Sequence, residues 1–310
     1  MGGSGGSGGY FGDSTPQHVA DKIREAEEAS ADRLLAAEVD SLLQEILADA
    51  NDRDTDTINS YLDDIMAALE AESDDMVHLN FGGSVSKHTY VDGLSDVDAL
   101  LVLNGTNLAD ADPAAACETL LQRLRERLPH DVEPDGFAIT IRFPDADIQV
   151  VPALSDGDSY LLPSADQTSW SRTRPQAFAK VLTHTNRACN GKVVPTIKLV
   201  KVLLSSLAER RRPTGYHLEN LAVEAFAGYD GPKTPRAMLH HFFDKAPALI
   251  REPIADRSMQ SVYVDQDLGP ANSTRRLMVA DAVDRVGRRL RNADGSKDVN
   301  RWRQMFGVEG

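Results

Sequence analysis

The sequence predicts an α+β chain in which helices and a mixed sheet fill the first half and a lobe of helices fills the second. Three observations predict it. Apolar residues recur at three- and four-residue steps over residues 16–50, short alternating apolar runs follow between residues 77 and 151, and helical periods return beyond Ser155. The 310 residues suffice for one large domain or two joined lobes. The expected division is a flexible Gly/Ser linker or tag over residues 1–9, a sheet-bearing core with N-terminal helices over 10–155, and a helical lobe over 156–310.

The first helix is expected over residues 16–50, where Val19, Ile23, Leu34, Leu35, Val39, Leu42, Leu43 and Ile46 keep one period. A second runs over 57–70, opened by the polar cluster Asp54-Thr55-Asp56. A short strand over 77–81 ends at Gly82-Gly83, and another over 97–103 stops at the turn pair Asn104-Gly105. Asp112-Pro113 opens a helix that ends near Leu128, with Asp as cap and Pro at the first helical position. Alternation predicts strands over 136–143 and 147–151, joined by Pro144-Asp145-Ala146. The strand signal then stops, and helices are expected over 175–189, 194–210, 216–228, 235–243 and 273–292.

Composition excludes several classes. No apolar run approaches the ~18 residues of a membrane span, no basic, apolar leader is visible, and Cys117 and Cys189 stand too far apart for a zinc ribbon; a reducing, cytoplasmic setting is expected. A net charge of -15 and the lack of an extended basic stripe argue against passive binding of nucleic acid. Lys87 and His88 read as solvent-facing loop residues, and the basic runs at 209–212 and 288–291 as solvated helix faces.

One segment carries chemistry: FGGSVSKHTYVDGLSDVDALLVL, residues 81–103. Asp96 and Asp98 are two apart on a strand, so both point to one side while Val97 points to the other. Two close carboxylates need a shared proton or a cation. Hard oxygen donors suit magnesium, which shares its coordination sphere with substrate phosphates. Gly82-Gly83-Ser84 would add a close-approach backbone and a hydroxyl for those phosphates.

A Gly-Ser turn ahead of a strand-borne Asp-x-Asp resembles the signature of the DNA polymerase β-like nucleotidyltransferases. Residues 196–226, TIKLVKVLLSSLAERRRPTGYHLENLAVEAF, resemble a helix–loop–helix of animal cyclic GMP–AMP synthase and its bacterial relatives. The tail segments SVYVDQDLGPANSTRRLMVADAV and NRWRQMFG resemble the bacterial cGAS/DncV-like nucleotidyltransferases, the CD-NTases of CBASS anti-phage systems. The resemblance spans residues 10–307 and implies a polymerase β-like mixed sheet joined to a helical C-terminal lobe.

It also implies a site. Asp96, Asp98 and a third acid, Asp147, would hold two Mg2+ ions, with Mn2+ as substitute. Gly83, Ser84, Lys198 and Lys201 would meet the triphosphate of an NTP such as ATP, and Tyr216 would stack on a base. Two positions depart from the family pattern: Gln149 stands where many relatives carry the third carboxylate, and Gly215 where a serine is common. The implied activity is synthesis of a cyclic di- or oligonucleotide that reaches a downstream effector, with no membrane partner. The rivals are nucleotidyl transfer to RNA, protein or a small molecule, and a non-catalytic nucleotide-binding module.

Overall fold

The structure is a computed structural model that describes residues 16–51, 55–70, 78–81, 87–89, 91, 97–164, 166–259 and 261–308. Helices α1 (Pro16–Asp49) and α2 (Thr55–Glu70) precede strands β1 (His78–Phe81) and β2 (Val97–Val102). Helix α3 (Pro113–Arg127) follows, then β3 (Asp131–Asp135), β4 (Ala138–Arg142), β5 (Asp147–Asp156), β6 (Ser159–Pro163) and β7 (Trp170–Thr173). The remainder is helical: α4 (Pro175–Ala188), α5 (Val193–Ser205), α6 (Gly215–Ala225), α7 (Pro235–Ile250), α8 (Thr274–Gly295) and α9 (Val299–Met305). Asp112 caps α3 as expected, its side chain accepting from Ala115 N at 2.9 Å with Pro113 in the first turn.

The main sheet runs β1-β2-β5-β4-β3, with β2 and β5 parallel and the other pairs antiparallel, which makes it mixed as expected. The far end of β5 turns into a β5-β6-β7 meander. Alternation gives the main sheet two unlike faces. Val97, Ala99, Leu101, Ile139, Ile141, Ile148 and Val150 face α2 and α3 and are buried. Asp98, Gln149, Thr140 and Glu133 align in one row across the opposite face. The charge of Asp98 therefore does not disturb the core beneath β2.

The helical lobe has its own core. Phe178, Ile197, Val200, Leu204, Phe242, Phe243, Val283, Leu290 and Trp302 gather there with Leu35, Val39, Leu42, Leu43 and Ile46 from the second half of α1. Up to Leu34 that helix is largely exposed, Ile23 and Leu34 included. Among the described residues no helix is long and apolar enough to cross a membrane.

Several sequence expectations need correction. Strand β3 was not expected, because Asp-Val-Glu-Pro-Asp buries only Val132; it lies at the sheet edge, where a proline costs no ladder bond. Strand structure also does not stop at Ser155, since β6 and β7 follow. Helix α5 ends at Ser205 and leaves a separate 3-10 turn over Glu209–Arg211, while α7 runs on to Ile250 with Pro247 in its last turn. The terminal run that includes Trp302 forms the short α9.

Candidate active site

The parallel β2–β5 pairing decides which side chains meet. Asp98 is opposite Gln149, and Val97 is opposite Ile148. Asp147 therefore lies one row along from Asp98 on the same face, with neighbouring strands about 4.8 Å apart. Asp147 is paired in register with Arg142 of β4, whose guanidinium reaches across to Glu133 at 2.7 Å on β3. Gln149 Nε2 donates to Asp135 Oδ2 at 3.2 Å. Asp96, Gly83 and Ser84 lie outside the described residues. Among the described residues no three His, Cys, Asp or Glu side chains gather closely enough to hold a metal. Asp145, in the connection between β4 and β5, accepts from Tyr61 Oη at 3.0 Å.

The two candidate lysines of α5 have different destinations. Lys198 Nζ donates to Asn51 Oδ1, just past the end of α1. Lys201 is 9% exposed on a helix whose other buried residues are almost all apolar. Its Nζ donates to Thr89 O at 2.8 Å and lies 3.4 Å from Glu219 Oε1 on α6. Burial pushes its pKa down; the charges of Glu219 and Asp98 oppose that shift, and Lys87 adds to it. The Lys201 ammonium lies in the electrostatic field of Asp98.

Lys87 is not the solvent-facing residue expected. Its side chain is 11% exposed and its Nζ meets Glu219 Oε2 at 2.5 Å. His88 is exposed, with φ of 58°. Glu219, which meets both ammonium groups, is a residue the sequence reading missed. A signal existed: it is a carboxylate on a helix whose neighbours Leu218, Leu221, Ala222 and Val223 are all buried.

Tyr216 opens α6, which Thr214 caps by accepting from His217 N. The Tyr216 ring meets Phe178 edge-on at 5.1 Å, and its hydroxyl donates to Asp256 Oδ1 at 2.7 Å. Burial pushes the Tyr216 phenol up to about 12. Burial also tends to raise Asp256, but donors on Ser258, Tyr216 and Ser261 outweigh it and hold that carboxyl below its usual range. The tyrosine is thus a braced, half-buried ring rather than a free one.

Directly behind it, His217 Nε2 lies 3.3 Å from Asp265 Oδ2 without hydrogen-bond alignment. Burial pulls the His217 pKa from 6.5 down to about 4. The folded chain therefore binds fewer protons than the unfolded chain between those values, so stability falls as pH drops from about 6.5 to about 4. The expected loss is roughly 3 kcal/mol at most. Urea midpoints at pH 7 and pH 4.5 measure it, and His217→Gln should flatten that part of the profile.

Residues 35–186 match the family model described as the Second Messenger Oligonucleotide or Dinucleotide Synthetase domain. Over 164 residues the chain is 27% identical to the cyclic AMP-AMP-AMP synthase of an Acinetobacter species, a match covering 50% of this chain and 47% of that relative. Among solved structures, CdnC of Escherichia coli MS115-1 with ATP superposes with a TM-score of 0.56 at 19% identity, covering 82% of this chain and 92% of the other. Escherichia coli DncV bound to 3'-deoxy GTP reaches 0.62 at 13% identity, covering 93% and 90%.

Proposed function

We propose, from the premise that this chain belongs to the cGAS/DncV-like nucleotidyltransferases, that it joins nucleoside triphosphates into a cyclic di- or oligonucleotide with release of pyrophosphate. What supports the reading most is Asp98: a carboxylate on a strand with a buried apolar face, one row from Asp147 and within the field of the Lys201 ammonium. Oxygen donors so spaced fit a hard divalent cation. Asp96, Asp98 and Asp147 would hold two Mg2+ or Mn2+ ions, which when bound lower the pKa of an acceptor ribose hydroxyl and neutralise the departing pyrophosphate. Gly83 and Ser84 would cradle the donor triphosphate. Lys201 would place a positive charge on it, and the braced Tyr216 ring would bound the base. Catalysis of this kind is positioning and charge stabilisation, for which no nucleophilic triad is needed. The product would act on a downstream effector in anti-phage signalling.

Gln149 favours a second reading. It occupies the position directly opposite Asp98, and an amide cannot bridge metals as a carboxylate does. In a non-catalytic nucleotide-binding module the site would grip ATP and stop there. Incubation with all four NTPs and Mg2+ or Mn2+, read by pyrophosphate release and mass spectrometry, separates the two. A phosphatase-resistant product formed without any acceptor supports the cyclase; product only with an added RNA, protein or small molecule supports transfer to that acceptor. Binding without pyrophosphate supports the module. Asp147→Asn is expected to slow pyrophosphate release about a hundredfold or more, whereas Asp145→Asn leaves the rate near that of the parent.

A further inference from the structure

Glu219 is 1% exposed and has no part in the scheme above. Its Oε2 accepts from Lys87 Nζ, while its Oε1 accepts from the Thr89 hydroxyl and lies 3.4 Å from Lys201 Nζ. Lys201 Nζ closes the loop by donating to Thr89 O at 2.8 Å. The Lys87 ammonium also sits 5.0 Å from the Tyr216 ring centroid and 5.4 Å from that of Phe178. One buried carboxylate therefore joins three parts of the molecule: the segment 87–89 that follows the Gly-Gly-Ser turn in sequence, helix α5, and the start of α6.

We propose that Glu219 is a positioning residue of the site, one that holds Lys87 and Lys201 as a charged pair beside Asp98 and ties segment 87–89 to the helical lobe. The proposal rests on the nucleotidyl-transfer reading of that site. Two ammonium groups brought this close out of water repel strongly, and a single shared carboxylate converts that repulsion into attraction while leaving a net positive charge. Lys201 spends two of its three N–H donors on Thr89 O and Glu219, so one is left for a phosphate oxygen. Its ammonium borders Gly215, where an added Cβ would meet, among the described residues, Lys201 at 3.7 Å from Nζ.

The test uses the full chain with Mg-ATP and three variants: Glu219→Gln, Lys87→Met and the two combined. Binding is read by calorimetry, KM and kcat by pyrophosphate release, and folding by thermal melts. Glu219→Gln is expected to raise Kd and KM on the order of tenfold, with kcat changed less than about threefold. Because both side chains act through one contact, the double variant should be no worse than Glu219→Gln alone. Unchanged Kd and KM, losses that multiply in the double variant, or a loss matched by the unfolded fraction would overturn the proposal. If the parent binds ATP without turnover, the transfer reading falls and the Kd cycle still decides the role of Glu219. A parent that binds no ATP removes both.

Discussion

Asp98→Asn is expected to slow pyrophosphate release by about a thousandfold or more and to leave the fold intact. The substitution keeps shape and volume but removes the negative charge and replaces one carboxylate oxygen, which would face the metal ions, with an NH2 donor. Metal-ion charge stabilisation supplies several kcal/mol of a phosphoryl-transfer barrier, and each 1.4 kcal/mol is a factor of ten. The stability cost should be small. Asp98 is half-buried on the polar face, and the apolar face of β2, with Val97, Ala99 and Leu101, is untouched. Matched thermal melts alongside the pyrophosphate assay check both halves. Removal of divalent metal by EDTA should reproduce the loss in the parent chain and change nothing further in the variant. Residual turnover above about a tenth of the parent rate would mean that Asp98 does not hold the ions.

The reason Asp98 could be found in the sequence is that strand alternation is a strictly local code. Val97, Ala99 and Leu101 point one way and Asp98 the other, so the two-faced strand is written in consecutive residues. The cap at Asp112 is local for the same reason. What the sequence hid depends on distant partners. Lys87 and Glu219 are 132 positions apart, and nothing near either residue announces the other. Strand β3 hides because an edge strand needs only one buried side chain, and β6 and β7 because their burial does not alternate: Ser159, Leu162 and Pro163 are the buried residues of β6 and Thr173 that of β7. The third acid sits between these cases. Asp147 and Gln149 share a face, which sequence alone reveals, but only the β2–β5 register places Gln149, and not Asp147, opposite Asp98.

Arg276→Met is expected to cost about 3–5 kcal/mol of folding stability, because it breaks a fully buried ion pair. Arg276 is fully buried in the first turn of α8. Its guanidinium donates to Gly269 O at 2.9 Å, Ile250 O at 3.0 Å, Glu252 O at 3.2 Å and Asp265 Oδ2 at 2.6 Å. Methionine would fill the space but leave the 1%-exposed Asp265 as a buried charge without its cation, beside a His217 that burial keeps neutral near pH 7. Adding Asp265→Asn removes that stranded charge, so the double variant should be more stable than Arg276→Met alone; denaturant titration of the pair measures the difference. The consequence reaches the site. Asp265 also accepts from Ile254 N, and the chain leading on from there carries Asp256, the acceptor for the Tyr216 hydroxyl. If the clamp loosens, Tyr216 loses its brace before the sheet is disturbed, so near pH 7 the variant should lose ATP affinity at temperatures where its far-UV circular dichroism is still that of the parent. Equal loss of binding and of secondary structure would place the clamp in the global core instead.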